Sequence, residues 1–216
     1  MENAEEHALG DVAYGLFEIM LNKELQSRGH YLFKLVEEDI DFLQEFMEIF
    51  ALFQEEYPQL AEALLQRFTR AEDIYAQLRQ GEGVIPTRTT QMYWIIQDAP
   101  EFMPEEVDDE KGGKWLIFLD EEEVDAMWQN IRDATCRGRL GISAKVSTAK
   151  PNPDSRDTRK VIYVYTENWE DEEDVMRVRR QLADLGVEQR IGYKRNIETY
   201  LGEYSEKGKK VTFYSA

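Results

Sequence analysis

Between residues 136 and 160, seven Lys/Arg stand against two Asp/Glu, in a chain whose formal charge is −18. The window holds Arg137, Arg139, Lys145, Lys150, Arg156, Arg159 and Lys160. Guanidinium forks and lysine point charges are the side chains that hold phosphate. Ser143 and Ser147 flank Lys145 at two-residue spacing, which on a strand puts all three on one face and adds hydroxyl donors to the amine. Lys194 and Arg195 supply a second basic pair further along. The chemistry these residue types point to is non-catalytic binding of a phosphate-bearing ligand: a nucleotide, an RNA end or a phosphopeptide. A strand edge studded with lysine to discourage aggregation is the competing explanation of the same charge.

Other chemistries have little to stand on. The sequence contains no GxxxxGK[ST] phosphate loop, no GxGxxG after a strand, no CxxC, no HExxH and no GxSxG. His7 and His30 are its two histidines, and neither has a neighbour that implies a metal or a catalytic role. The acidic runs at Glu105–Glu110, Asp120–Glu123 and Glu170–Asp174 are mostly helix starts rather than converging oxygens, so no metal and no cofactor is expected. A net charge of −18 argues against a surface that grips nucleic acid all over. Cys136 stands alone, there is no apolar run of about 20 residues, and the first ten residues are acidic, so the expectation is a cytoplasmic protein.

The elements that must position these residues follow from periodicity. Leu9, Val12, Ala13, Leu16, Phe17 and Met20 make a helical stripe over about 5–27. Residues 31–56 read as a second, continuous helix carrying Leu32, Val36, Ile40, Leu43, Met47 and Phe50, with Phe46 and Phe53 widening its apolar face. Pro58 opens a third, through Leu60, Leu64, Phe68, Tyr75 and Leu78 to Gly81. Residues 1–80 therefore read as a helical bundle or cap, 81–90 as a linker, and 91–216 as a separate domain. In that domain MYWIIQ is a strand and Lys114–Leu119 another. Asp120 and Glu123 then open a helix with Val124, Met127, Trp128 and Ile131 inward, stopping at Gly138. Residues 140–149 alternate as a strand, with Leu140, Ile142, Ala144 and Val146 on the core side. Lys160–Thr166 is the next strand, a helix with Val175, Val178, Leu182 and Leu185 ends at Gly186, and residues 189–194 and 210–214 are the last strands. The fold class is α+β: a curved, mostly antiparallel sheet with helices on one face, preceded by the helical segment.

GGKWLIFL, VDAMWQNI, GISAKVS, KVIYVYT and IGYK, in that order, resemble the C-terminal half of the cap-binding translation initiation factor 4E fold. The run from Met92 onward more closely resembles a family named for a basophilic-leukaemia-expressed protein, in which stretches like GISAKVSTAKPNP recur. The resemblance covers about residues 91–216 and implies an initiation-factor-4E-like sheet. That fold's cap site stacks methylguanine between two tryptophans and holds its phosphates with basic residues on and after the alternating strand. Here the loop MPEEVDDEK has no aromatic residue where one of those tryptophans would stand. The strand arginine falls near Ser147, with Lys145 and Lys150 close by. Cap binding is therefore not expected, and the implied ligand narrows to an anionic group.

Two alternatives remain. Some members of the closer family resemble phosphothreonine lyases, in which a lysine acts as base and a histidine as acid. Lys145 or Lys150 would be the base, yet residues 91–216 have no histidine, leaving Tyr163, Tyr165 or Tyr193 as the acid. The other is an adaptor that binds a protein partner or a second copy of itself through residues 1–80, motivated by the wide apolar face at Phe46 and Phe53. No membrane partner is expected.

Overall fold

Apolar residues at helical spacing fold into five helices at the start of the chain: α1 (Glu2–Ser27), α2 (Leu32–Glu37), α3 (Leu43–Glu56), α4 (Pro58–Phe68) and α5 (Ala71–Arg79). The computed structural model describes residues 2–100, 102–104, 108–152, 158–200 and 212–216. Two compact units are present, one of residues 1–93 with 148–152, the other of residues 94–147 with 153–216.

In the helical unit the buried stripe of α1 is Ala13, Tyr14, Phe17, Leu21 and Leu25, while Leu9 and Val12 are exposed. The helix is rotated from the expected face because its aromatics find partners. Phe17 packs 5.3–5.7 Å from the rings of Phe46, Phe50 and Phe53 on α3, and Tyr14 lies against Phe68 of α4. Aromatic burial outweighs that of the smaller residues on the opposite side. The wide face of α3 is thereby filled, with Phe46 and Phe53 both fully buried.

The second and third expected helices are each broken in two. Asp39 adopts φ 54° and Thr69 φ 65°, left-handed conformations that end an α-helix. At the first break, Asp41 accepts the Leu43 amide at 3.1 Å and the Tyr75 hydroxyl at 2.5 Å, and Arg79 donates to the Ile40 carbonyl at 2.7 Å. Tyr75 and Arg79 sit on α5, so the break depends on tertiary contacts that apolar periodicity does not report. Residues 81–93 pack into the same unit: the Glu82 carboxylate accepts the Thr90 and Gln91 amides at 2.8 and 3.1 Å, and Thr89 is fully buried.

The sheet unit contains β1 (Trp94–Asp98), β2 (Gly113–Leu119), β3 (Ser143–Ser147), β4 (Lys160–Thr166), β5 (Gly192–Arg195) and β6 (Tyr214–Ser215), with α6 (Glu121–Cys136), α7 (Glu172–Asp184) and the short α8 (Asn196–Tyr200). The strands lie in the order β1-β3-β4-β2-β5-β6, and every pairing is antiparallel. The fold is α+β, as expected. Residues 140–142 approach β3 without joining it, and of the last expected strand, residues 210–211 lie outside the described residues while β6 begins at Tyr214.

One face of the sheet carries the core: Ile95, Trp115, Ile117, Ala144, Val146, Ile162, Val164 and Tyr193 pack with Val124, Trp128 and Ile131 of α6 and Val175, Val178 and Leu182 of α7. The Trp115 indole N–H donates to the Val175 carbonyl at 3.1 Å, pinning β2 to α7. Asp120 starts α6 without the expected side-chain cap; the backbone amides of Glu123 and Val124 bond the Asp120 carbonyl instead. On α7, Asp171 does cap, accepting the Asp174 amide. Gly138 and Gly186 terminate α6 and α7 at φ 65° and 103°.

Gly141 leads into β3 where a Cβ would collide with the backbone carbonyl of Tyr165, the same carbonyl that accepts the Ile142 amide at 3.0 Å. Backbone on both sides leaves no side chain free to yield. Gly141→Ala is expected to cost about 1–3 kcal/mol, read as a lower urea midpoint with an unchanged slope. A midpoint equal to that of the parent protein would show that the approach of β3 to β4 is not tightly fixed.

A lysine and aromatic face on the sheet

Side chains alternate along a strand, so each strand that sends a residue into the core sends its neighbour to the opposite face. On β2 the core takes Trp115, Ile117 and Leu119, leaving Lys114, Leu116 and Phe118 on the other side. The register then sets what stands beside what. Lys114 is opposite Tyr165 on β4 and Lys194 on β5. Lys145 is opposite Tyr163 on β4 and Ile96 on β1.

The amines and rings converge. The Lys145 ammonium lies 4.4 Å from the ring centre of Trp94, 5.5 Å from that of Tyr163 and 5.7 Å from that of Tyr165. Lys114 Nζ lies 5.6 and 5.5 Å from the same two tyrosine rings and donates to Asn196 Oδ1 at 3.2 Å. Trp94 and Tyr163 stack at 5.3 Å, while Tyr163 and Tyr165 meet edge-on. Lys114 and Lys194 are only 8% and 7% exposed, far less than lysines usually are.

Electrostatics follow from that crowding. Burial pushes the Lys114 amine down to about 8, and the charges on Lys145 and Lys194 push the same way, against a smaller opposing pull from Asp109. Lys145 is lowered too, by burial. Rings beneath the ammoniums offset part of the desolvation. An anion seated among three amines would offset much more, because it favours the charged form of each.

Of the residues expected to bind, the structure brings Lys145 and Lys194 to this face, with Ser143 and Ser147 on the same side of β3, and places the other described ones elsewhere. Arg137, at the end of α6, is 3.6 Å from Asp133 and borders a different feature, a cleft of about 790 Å³ shared with Arg177, Asp171, Asp174, Phe102 and Met103. Arg139 is exposed in the turn that follows. Ser143 Oγ donates to the Gln97 carbonyl and Ser147 Oγ accepts the Val161 amide, so both hydroxyls are engaged by backbone. Lys160 reaches Glu121 at 3.8 Å, and Arg159 lies over Phe118. Arg195 is held by Glu198 Oε1 through two N–H groups at 3.0 and 2.9 Å and lies against Trp169 and Phe213. Arg156 lies outside the described residues. Lys150 belongs to the helical unit, where it pairs with Asp11 at 3.0 Å, donates to the Gln91 carbonyl and sits 4.5 Å from the Tyr93 ring centre.

Sequence reasoning missed Lys114, Trp94 and the placement of Tyr163 and Tyr165 with the lysines. A signal existed: the alternation that marks Lys145 as facing away from the core marks Lys114 equally, counted from Trp115. Among the tyrosines considered as acids, Tyr193 sits on the core side, bonded to Thr166 at 2.6 Å and pushed up to about 12 by burial. Tyr163 and Tyr165 are the two that share a face with the amines.

A buried amine leaves a signature in stability. Its folded value, about 8, lies below the ordinary 10.5, so between those pH values the unfolded chain binds more protons and stability rises with pH. Below pH 8 the folded protein carries the charge at a cost of at most about 3 kcal/mol. Lys114→Met is therefore expected to raise the urea midpoint at pH 7, with the difference from the parent shrinking as pH approaches 10. A difference independent of pH would show that the amine is not buried in charged form.

The sequence model for basophilic leukemia-expressed protein Bles03 matches residues 26–202, reaching well into the helices ahead of the 91–216 stretch. Among solved structures, the chain is similar to a schistosome eIF4E complexed with m7GpppG and 4E-BP, at 18% identity over 67% of this chain and 80% of that one, TM-score 0.46. It is also similar to Ascaris suum eIF4E-3 with m7G cap, at 17% over 56% and 67%, TM-score 0.39. A third is C. elegans eIF4E-3 with the 4E-binding protein Mextli and a cap analog, at 16% over 50% and 65%, TM-score 0.39. At these values the likeness is a partial one of architecture. With more than half its length matched by the family's own sequence model, the chain belongs to the Bles03 family of basophilic leukemia-expressed proteins.

Proposed function

We propose that the sheet unit is a non-catalytic binding module for a phosphate-bearing ligand, which sits on the open face of the sheet against Lys114, Lys145 and Lys194. The observation that carries this reading is the convergence of three lysines, two of them less than 9% exposed, on one aromatic-lined face. Amines held close together favour an anion between them, because it stabilises the charged form of each. A phosphate group does so through charge-assisted hydrogen bonds, and the rings of Trp94, Tyr163 and Tyr165 offer apolar contact to the rest of the ligand. Among the described residues the basic window of 136–160 contributes Lys145 alone, so the site is centred on β2, β3 and β5 rather than on the rim.

Titration calorimetry with inorganic pyrophosphate and with a nucleoside diphosphate tests the reading. Lys145→Ala and Lys194→Ala are each expected to weaken binding about 10- to 100-fold, the range of a lost charge-assisted hydrogen bond. Lys34→Ala, in the helical unit, is expected to leave it unchanged. Equal loss in all three variants, or no binding by the parent, would overturn the proposal.

The same site has a defined pH dependence. Lys114 is charged below about 8 and the anion prefers the charged amine, so affinity is expected to rise as the terminal phosphate ionises near pH 6 to 7 and to be greatest between about pH 7 and 8. Above 8 it falls as binding begins to require uptake of a proton, approaching tenfold per pH unit. An affinity that stays level from pH 7 to 10 would remove Lys114 from the site.

A further inference from the structure

We propose that Lys114 is a nucleophilic amine that forms a reversible imine with the carbonyl of a small phosphate-bearing aldehyde or ketone, while Lys145 and Lys194 hold the phosphate. This inference rests on the anion-binding reading above and adds a covalent step to it. The placement is what nucleophilic lysines require: a largely desolvated amine with cationic neighbours, which keeps a neutral fraction available near physiological pH. Lys114 has that surrounding by construction. Lys194 faces it directly across the β2–β5 ladder, and Lys145 shares with it the rings of Tyr163 and Tyr165. Asn196 Oδ1 accepts from its Nζ at 3.2 Å, which orients the amine. Among the described residues, Lys145 on β3, Lys194 on β5 and Asp109 in the loop before β2 act on its charge beside the effect of burial, and Tyr163 and Tyr165 on β4 pack against it. The downward shift of Lys114 agrees with this geometry.

The step balances without an oxidant or reductant. The Nζ lone pair forms a C–N bond to the carbonyl carbon, and the C=O π pair moves to oxygen, which takes a proton. The resulting carbinolamine loses that oxygen as water when the nitrogen gives up its remaining proton and its lone pair closes the C=N bond. Amine and carbonyl become imine and water, and hydrolysis reverses the step, so capture and release need no turnover machinery.

The test uses the full chain, glyceraldehyde 3-phosphate as carbonyl probe and cyanoborohydride to trap imines, with peptide mass mapping of every labelled lysine. Lys114 is expected to label at least tenfold faster than exposed lysines such as Lys23, with a rate that saturates in probe. Glyceraldehyde lacking the phosphate should label it at least tenfold more slowly, and glycerol 3-phosphate, which has no carbonyl, should protect it. The labelling rate of Lys114 should rise with pH through about 8. Labels spread over lysines according to exposure, or the same rate with and without the phosphate, would overturn the inference. If calorimetry shows glycerol 3-phosphate binding while Lys114 stays unlabelled, the imine falls and the anion site stands. If glycerol 3-phosphate neither binds nor protects, both fall. All arms use the parent protein, so no variant has to fold.

Discussion

The register of β2 against its two neighbours is the constraint on which the rest of the sheet unit depends. Seven residue pairs join β2 to β4 and four join it to β5, and slipping either ladder by one residue would turn every side chain to the opposite face. Trp115 holds that register: its ring lies in the core against Tyr193, and its N–H reaches a carbonyl of α7. With Trp115 fixed inward, Lys114 has nowhere to go except the other face, between tyrosines and beside Lys194. Gly113 belongs to the same lock, because the Tyr193 side chain occupies the space where a Cβ would stand.

The charge distribution makes sense once pairing is considered. In a chain of −18, several basic residues on the sheet unit meet a carboxylate close in sequence or space: Arg137 with Asp133, Lys160 with Glu121, Arg177 with Asp174, Arg195 with Glu198. Such pairs at the surface contribute little, commonly less than about 1 kcal/mol, and they neutralise the rim. Lys114 and Lys145 also lie over aromatic rings, 5.5 Å and 4.4 Å from the ring centres of Tyr165 and Trp94, which offsets part of the cost of burying their charge.

The helical unit concentrates its ionisable groups in a different way. Tyr14 is 1% exposed, and its hydroxyl is raised by burial and by the carboxylates of Glu82 and Glu18. Burial pushes Glu18 up to about 7, with Glu82 adding to the effect. Arg67 pairs with Asp11, which also takes Lys150. That demand explains why Lys150 does not join Lys145 on the sheet: its ammonium is held by Asp11 and lies over the Tyr93 ring.

The binary pattern by itself determined the strands β1 to β4, the helices α6 and α7 with their glycine stops, and the α+β class, because alternation and 3.6-residue spacing are local properties of the chain. It also determined that Lys145 faces away from the core. Tertiary structure decided where the second expected helix breaks, since the turn at Asp39, with its left-handed φ, is held by partners some 30 to 40 residues away, Tyr75 and Arg79. It decided the rotation of α1, set by three phenylalanines on α3. Above all it decided which cations meet. Of the basic residues between 136 and 160 that the structure describes, Lys145 alone joins that face, while Lys114, Lys145 and Lys194, up to 80 residues apart, come together because strand pairing, not sequence distance, sets which side chains are neighbours.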